Sequence, residues 1–217
     1  PESQGVRSQV VMSYIDSMMS LPRTDIHSIV LLRHGKVIAE AYPAPFAASY
    51  RHTLYSCSKT FAAAAVGIAI GEGRLRVTDR IGTFLADCLP DTVSRNLADI
   101  TVQHLLTMSS GIMPDWQLRS ICDDWTPAML RKPVDVPGRK FRYDSLCTYL
   151  LSVIVQRATG QTLIDYLRQR LFAPMGITEA EWEVSPEGYC TAGWGLRLCS
   201  ESLAKFGQLL LQNGCWE

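Results

Sequence analysis

The residues with the clearest chemical potential lie in the tetrapeptide Ser56-Cys57-Ser58-Lys59. If Ser56 lies at the first turn of a helix, Lys59 projects from the same face and brings its amine within hydrogen-bond reach of the serine hydroxyl. A lysine desolvated between helices can accept a serine proton, and a helix N-terminus supplies N–H groups near the reacting oxygen. Ser56 is therefore a candidate nucleophile and Lys59 a candidate acceptor for its proton. The structural alternative is a helix-capping serine beside a surface lysine.

The Ser-x-x-Lys spacing occurs a second time, at Ser202 and Lys205. This second pair lies inside a predicted amphipathic helix, where Lys205 is interpreted as a solvated residue without a chemical role. The segment after Ser56 is rich in alanine and predicts a largely buried helix, which disfavours the same interpretation for Lys59.

Apolar periodicity predicts the elements that position these residues. A β-hairpin is expected from two apolar runs around His34-Gly35, and Thr101 is expected to cap a short helix. Longer helices are predicted over residues 8–20, 57–70, 146–159 and 202–212, with another opened by Thr162, and residues 113–139 are predicted as loop with short helices. Strands that are segregated from helices favour the α+β class.

Composition limits the possible functions. The 217 residues, 24.2 kDa, fit one domain or a domain with an inserted lobe. Lys plus Arg and Asp plus Glu are both 21, so there is no basic excess for nucleic acid. No apolar run is long enough for a membrane span, and the N-terminus lacks the pattern of a signal peptide. Neither nucleic acid nor a membrane is an expected partner.

The seven cysteines show no Cys-x-x-Cys pair, and the chain has only four histidines, so a zinc site is not expected. We interpret the cysteines, Cys57 included, as buried, reduced thiols of a cytoplasmic protein. A periplasmic or secreted location stays open, because a signal peptide removed earlier would be invisible in this sequence.

Several segments, in this order, resemble the penicillin-recognising serine hydrolases, specifically the class C β-lactamase and carboxylesterase branch. The similar segments are Leu54-Tyr-Ser-Cys-Ser-Lys-Thr-Phe61, Ile100-Thr-Val-Gln-His-Leu-Leu-Thr-Met-Ser-Ser-Gly111, Phe141-Arg-Tyr-Asp-Ser145 and Gly193-Trp-Gly-Leu-Arg-Leu198. The resemblance implies an α+β, β-lactamase-like fold with a helical lobe packed on an antiparallel sheet lobe. It also implies three parts: residues 1–74 of the sheet lobe, residues 75–195 as the helical lobe, and a return helix in residues 196–217.

The resemblance further implies a reaction. Ser56 would be the acyl-forming nucleophile, Lys59 its general base, and Tyr143 the second acid or base, whose phenol passes the proton to the leaving group. Ser145 stands where the family usually has asparagine, so a substrate-binding hydroxyl replaces an amide, which weakens a strict β-lactamase interpretation. The expected substrate is a small ester, amide or β-lactam, and no metal or organic cofactor is implied.

Relatives of this family are usually longer, and their third motif, a Lys- or His-x-Gly strand with the second oxyanion donor, would lie beyond this chain. We therefore expect an N-terminal portion without the C-terminal strands, which would associate with a complementing segment or form a homo-oligomer. The alternatives are a true β-lactamase or D-amino-acid peptidase, and a non-catalytic ligand- or peptidoglycan-binding module. The tryptophans are expected to serve lobe packing more than a substrate cleft, and His104 is expected to be structural.

Overall fold

A computed structural model describes residues 1–216. The strands are β1 (Ile29–Arg33), β2 (Lys36–Ala41), β3 (Arg51–Thr53), β4 (Glu181–Trp182) and β5 (Leu196–Cys199). The α-helices are α1 (Ser8–Met19), α2 (Ser58–Gly71), α3 (Gly82–Leu85), α4 (Arg95–Ala98), α5 (Val102–Leu106), α6 (Leu118–Ile121), α7 (Trp125–Leu130), α8 (Ser145–Thr159), α9 (Leu163–Leu167) and α10 (Ser200–Leu211). Short 3₁₀ turns span Glu2–Gln4, Tyr55–Cys57 and Ala86–Cys88, and a π turn, Arg168–Phe172, follows α9.

The chain forms two compact units, one of Pro1–His52 with the residues from Arg197 on, and one of Thr53–Leu196. In the first unit, β1 and β2 form an antiparallel hairpin with a register shift between Leu31 and Leu32. Its two-residue turn, His34-Gly35, has φ angles of 50° and 73°, the left-handed geometry that matches the twist of a hairpin. Helix α10 packs against β1 in the same unit.

The core of the second unit is built on α2 and α8, which pack on each other. Phe61, Ala65 and Ala69 of α2 are fully buried. The small alanine side chains let the neighbouring helix approach closely, and the Phe61 ring fills space in the core. Helix α8 buries residues around most of its circumference, and α5 and α9 pack against it. Asp144 caps its start, and Gly160 ends it at φ 71°. Ser56 lies just before α2 and Tyr143 just before α8, so the packed helix pair carries both predicted catalytic segments at the starts of its helices.

The α+β class is confirmed, and every predicted helix and the hairpin are present. The three-stranded sheet, in the order β3–β5–β4, was not predicted, because strands of two to four residues are too short to show a period of two. Thr101 caps α5 in a reciprocal capping box with His104, which confirms that histidine as structural.

The predicted boundaries at residues 74 and 195 stay a prediction. Helix α2 lies in the second compact unit, and Glu217, at the end of the third predicted part, lies outside the described residues. Among residues 1–216, no helix combines the length and apolarity that a membrane crossing needs.

The cysteine prediction was partly wrong. None of the seven, all within residues 1–216, forms a disulfide, but Cys57 and Cys215 are exposed, while Cys88, Cys147 and Cys190 are buried. Cys57 is exposed because it ends the 3₁₀ turn before α2 instead of lying on the buried face of that helix.

Candidate active site

Ser56 lies in the 3₁₀ turn Tyr55–Cys57, immediately before α2. The sequence predicted it inside the first turn of the α-helix, so its position differs by one short turn. Tyr55 has a φ of 45°, a left-handed conformation that costs free energy in a residue other than glycine and is concentrated at functional sites. The turn thus presents the Ser56 hydroxyl in a conformation that the surrounding structure must hold.

Leu196 of β5 holds both sides of this turn. The Leu54 N–H donates to the Leu196 carbonyl at 2.8 Å, and the Leu196 N–H donates to the Ser58 hydroxyl at 3.2 Å. Ser58 is fully buried, so this hydroxyl has a structural partner and does not compete with Ser56. One backbone unit of the strand therefore fixes the residues before and after the candidate nucleophile.

Lys59 points its amine into a set of three oxygen atoms. The Nζ atom lies 3.0 Å from Ser56 Oγ, 2.9 Å from Ser145 Oγ and 2.5 Å from the Gly193 carbonyl oxygen. An ammonium group has three donors, so these oxygens match it in number. The geometry fixes the direction of the lysine and leaves one of its N–H groups on the candidate nucleophile.

Tyr143 closes the opposite side of the Ser56 hydroxyl, donating to Ser56 Oγ at 2.7 Å. Its ring centroid lies 4.9 Å from Lys59 Nζ. Burial alone would raise the pKa of the Tyr143 phenol, but the hydrogen bonds with Lys59 and Ser56 and the charge of Lys59 outweigh it, and this pKa lies below its ordinary value. Tyr143 is half-exposed, so a substrate can reach it.

Helix α8 positions Ser145 as its first residue, directly after its N-cap Asp144. The Asp144 carboxylate accepts from the Leu146 N–H at 2.9 Å and is buried, and this burial raises the pKa of its carboxyl group against the opposing effects of that hydrogen bond and of the Lys59 charge. A single cap therefore orders Tyr143 on one side and Ser145 on the other. All four predicted residues, Ser56, Lys59, Tyr143 and Ser145, are brought together.

Gly193 is a member of the site that sequence reasoning missed. It is buried, its carbonyl oxygen accepts from Lys59, and a Cβ atom there would collide with the carbonyl oxygen of Ser145. The only signal in the sequence was its place in the Gly193-Trp-Gly195 segment, which marks a close backbone approach without naming the partner.

Two of the four tryptophans discussed above are buried in the core, and the other two are partly or largely exposed. Trp125 and Trp182 are buried, as the packing interpretation predicts, whereas Trp116 is 49 % exposed. Trp194 is half-buried, and its ring lies 5.0 Å from that of Trp116 in an edge-to-face arrangement. Trp194 directly follows Gly193, so this aromatic pair adjoins the residues around Lys59.

This arrangement can activate a hydroxyl nucleophile. Two groups that can hold or release a proton, the amine of Lys59 and the phenol of Tyr143, lie within hydrogen-bond distance of Ser56 Oγ. Within residues 1–216, no group of three or more histidine, cysteine or acidic side chains is placed to hold a metal ion.

Comparison with known proteins places these residues in a wider context. The family model described as Beta-lactamase matches residues 26–214. The chain is 26 % identical over 220 residues to the 6-aminohexanoate-dimer hydrolase of Paenarthrobacter ureafaciens, covering 92 % of this chain and 55 % of that protein. It is 28 % identical over 165 residues to the D-aminopeptidase of Brucella anthropi, covering 70 % of this chain and 30 % of that protein. The chain thus spans about half or less of the length of these relatives.

Solved structures share the fold. A beta-lactamase/D-alanine carboxypeptidase from Pseudomonas syringae superposes with a TM-score of 0.73 at 24 % identity, covering 96 % of this chain and 66 % of that one. An octameric penicillin-binding protein homologue from Pyrococcus abyssi gives a TM-score of 0.73 at 21 % identity, covering 96 % of this chain and 57 % of that one. At these identities the likeness concerns the fold.

Proposed function

The chain belongs to the Beta-lactamase family, and we propose that it carries the active site of a serine hydrolase. This enzyme would cleave ester or amide bonds through an acyl-enzyme on Ser56. The observation that carries the proposal is the position of Ser56 Oγ, 3.0 Å from the Lys59 amine and 2.7 Å from the Tyr143 phenol. A serine that only caps a helix needs neither contact.

In the reactive form one group of the pair, the Lys59 amine or the Tyr143 phenol, has lost its proton to solvent. In acylation, Ser56 Oγ attacks the carbonyl carbon of the substrate while its proton passes to that deprotonated group. The tetrahedral intermediate collapses when the bond to the leaving group breaks, and Tyr143 returns a proton to the leaving oxygen or nitrogen. In deacylation, water attacks the acyl carbon, gives up a proton to the same pair of bases, and Ser56 leaves with its proton restored. The Ser56 N–H would be the first oxyanion donor.

The proposed substrate is a small ester or amide. Two matched relatives carry the names 6-aminohexanoate-dimer hydrolase and D-aminopeptidase, and these names favour an amide as one substrate class. Ser145 offers a short hydroxyl to the substrate, which suits esters and short amides. A true β-lactamase is the second candidate, since a relative from Escherichia coli carries that description.

Assembly and location remain part of the proposal. A solved relative is octameric, which supports a homo-oligomer as the working form, and a complementing C-terminal segment is the alternative. A cytoplasmic location fits seven cysteines that form no disulfide among residues 1–216.

The first test is intact-protein mass spectrometry of the chain after incubation with p-nitrophenyl acetate, a penicillin, and a serine-directed fluorophosphonate. We expect a single adduct that maps to Ser56 and is lost in Ser56→Ala. Ser202→Ala, which changes the serine of the second Ser-x-x-Lys pair, is the matched control and should keep the adduct. Labelling that survives Ser56→Ala, or no labelling with any reagent, would contradict a nucleophile on this chain and favour a binding module.

A further inference from the structure

Arg119 of α6 lies on the two indole rings beside the site. Its guanidinium carbon is 3.4 Å from the ring centroid of Trp116 and 5.1 Å from that of Trp194. A planar guanidinium stacked at this distance keeps the edges of its fork free to bind a carboxylate in a bidentate manner. We call Trp116, Arg119 and Trp194 the arginine–tryptophan rim.

The rim adjoins the catalytic lysine through the backbone. Gly193 accepts a hydrogen bond from Lys59 at 2.5 Å, and Trp194 is the next residue in the chain. Because consecutive Cα atoms are about 3.8 Å apart, the Trp194 side chain leaves the backbone within a few ångströms of the reacting groups. A substrate whose scissile bond lies at Ser56 would extend along this rim.

Arg119 has little of its charge satisfied within the protein. Its Nε donates to the Trp116 carbonyl oxygen at 3.4 Å, and within residues 1–216 no carboxylate lies at ion-pair distance from its guanidinium. Glu183 is the acidic residue whose charge acts on the Arg119 guanidinium. Its Oε1 already accepts a hydrogen bond from the Trp194 indole N–H at 2.9 Å. Burial against the rings lowers the pKa of the guanidinium, and the Glu183 charge opposes this effect.

These observations favour an anionic ligand over a cationic one. On the side where the two indoles meet, the Arg119 guanidinium already occupies the position over the Trp116 ring, and within reach of the Trp194 ring, that would attract a cation. A partly desolvated cation with free N–H groups gains most from a carboxylate, which restores the hydrogen bonds that burial removed.

We propose that the arginine–tryptophan rim binds a free carboxylate of the substrate, and that the enzyme prefers esters and amides that carry one. This inference rests on the proposed function. It names the chemical class of the substrate and identifies Arg119 as the residue that selects it.

The test compares kcat/KM for anionic and neutral esters in the chain and in Arg119→Gln. The anionic esters are mono-p-nitrophenyl succinate, with the carboxylate on the acyl side, and 4-acetoxybenzoate, with it on the leaving-group side; p-nitrophenyl butyrate and phenyl acetate are the neutral counterparts. We expect the anionic-to-neutral ratio to fall about 10- to 100-fold for at least one pair, through KM, as for loss of a charged hydrogen bond. Arg119→Lys should recover part of it.

Arg76→Gln is the matched control, because Arg76 is exposed in the same unit and the substitution removes one positive charge. It should leave the ratio unchanged. Equal losses for both classes of ester in Arg119→Gln would mean that Arg119 only supports the fold, and an unchanged ratio would remove it from recognition; either result overturns the proposal.

A binding measurement separates this inference from the hydrolase proposal. In Ser56→Ala, titration with monomethyl glutarate should quench tryptophan fluorescence, whereas dimethyl glutarate should not, and the further change Arg119→Gln should abolish the difference. If no ester is hydrolysed but this selective binding is present, the proposed reaction fails while the carboxylate site stands. If neutral esters are hydrolysed and no selective binding occurs, the reaction stands and the site fails.

Discussion

The two Ser-x-x-Lys pairs of this chain have the same spacing and different surroundings. Lys59 contacts the hydroxyls of Ser56 and Ser145 and a backbone carbonyl, so its partners come from three separate segments. Lys205, in the middle of α10, forms an ion pair with Glu201 one helical turn earlier, at 3.2 Å. Its interpretation as a lysine without a chemical role agrees with that pairing.

The comparison shows where the chemical information resides. A spacing of three residues places two side chains on one face of any helix, whatever the helix does. What distinguishes Ser56 is its place before the helix, in a turn with a left-handed residue, opposite the capped start of a second helix. In α10, residue 202 is the third residue of the helix itself and is buried.

Replacing the two lysines gives the largest expected contrast. In Lys59→Met we expect kcat/KM for p-nitrophenyl acetate to fall about 10³- to 10⁴-fold, because the substitution removes a proton acceptor and one of the groups that orient the nucleophile. In Lys205→Met the same constant should change less than about 2-fold, since Lys205 pairs with Glu201 of its own helix and a partly exposed i,i+4 ion pair contributes little. Stopped-flow release of p-nitrophenol measures both. Similar losses in both variants would show that the two motifs are not functionally different.

Removing the Tyr143 hydroxyl tests the Ser56–Lys59 site through the pH dependence of kcat/KM. Because the Tyr143 pKa lies below its ordinary value of 10.0, the phenolate fraction and kcat/KM should rise with pH and level off below pH 10. Tyr143→Phe should lower kcat/KM about 10²- to 10³-fold and remove that rise. Lys59→Met should raise the pKa of Tyr143, because it removes the lysine hydrogen bond and charge; the tyrosinate absorbance band follows this directly.

Tyr14 of α1 provides the control for the spectroscopic measurement, because it is an exposed tyrosine in the other unit. Tyr14→Phe should leave both the tyrosinate signal of Tyr143 and the rise in kcat/KM intact. A pH profile that keeps its rising limb in Tyr143→Phe would assign the proton transfer to another group.

The sequence predicted most of the elements and four members of the site, for identifiable reasons. Long amphipathic helices such as α8 and α10 show a clear period, and glycine at position 160 marks an end. Ser56, Lys59, Tyr143 and Ser145 were found because their motifs follow one another in the order typical of a family. Their convergence is a property of the packed helices α2 and α8 that periodicity alone does not contain.

The features that the sequence did not predict depend on contacts between segments that are far apart in the chain. Strand β5 spans four residues, and its role in holding the Ser56 turn arises from hydrogen bonds between positions about 140 residues apart. Gly193 acts through its backbone oxygen, which no residue type reveals, and Arg119 acquires meaning only from the rings it lies on. Such features become visible when distant segments are placed in space.

Two glycines provide the smallest and most local comparison of the two regions. At Gly193 a Cβ atom would collide with the Ser145 carbonyl oxygen, next to the oxygen that accepts from Lys59, so Gly193→Ala should displace the lysine and lower kcat/KM about 10- to 100-fold. Gly207, inside α10, has no atom within 4 Å of a Cβ, and Gly207→Ala should raise the free energy of unfolding by about 0.5–1 kcal/mol, because alanine favours a helix more than glycine does. Urea unfolding and ester kinetics on both variants check these expectations. Unchanged kinetics in Gly193→Ala would show that the Lys59 contact with this carbonyl is dispensable, and then the difference between the motifs would rest on Tyr143 and Ser145 alone.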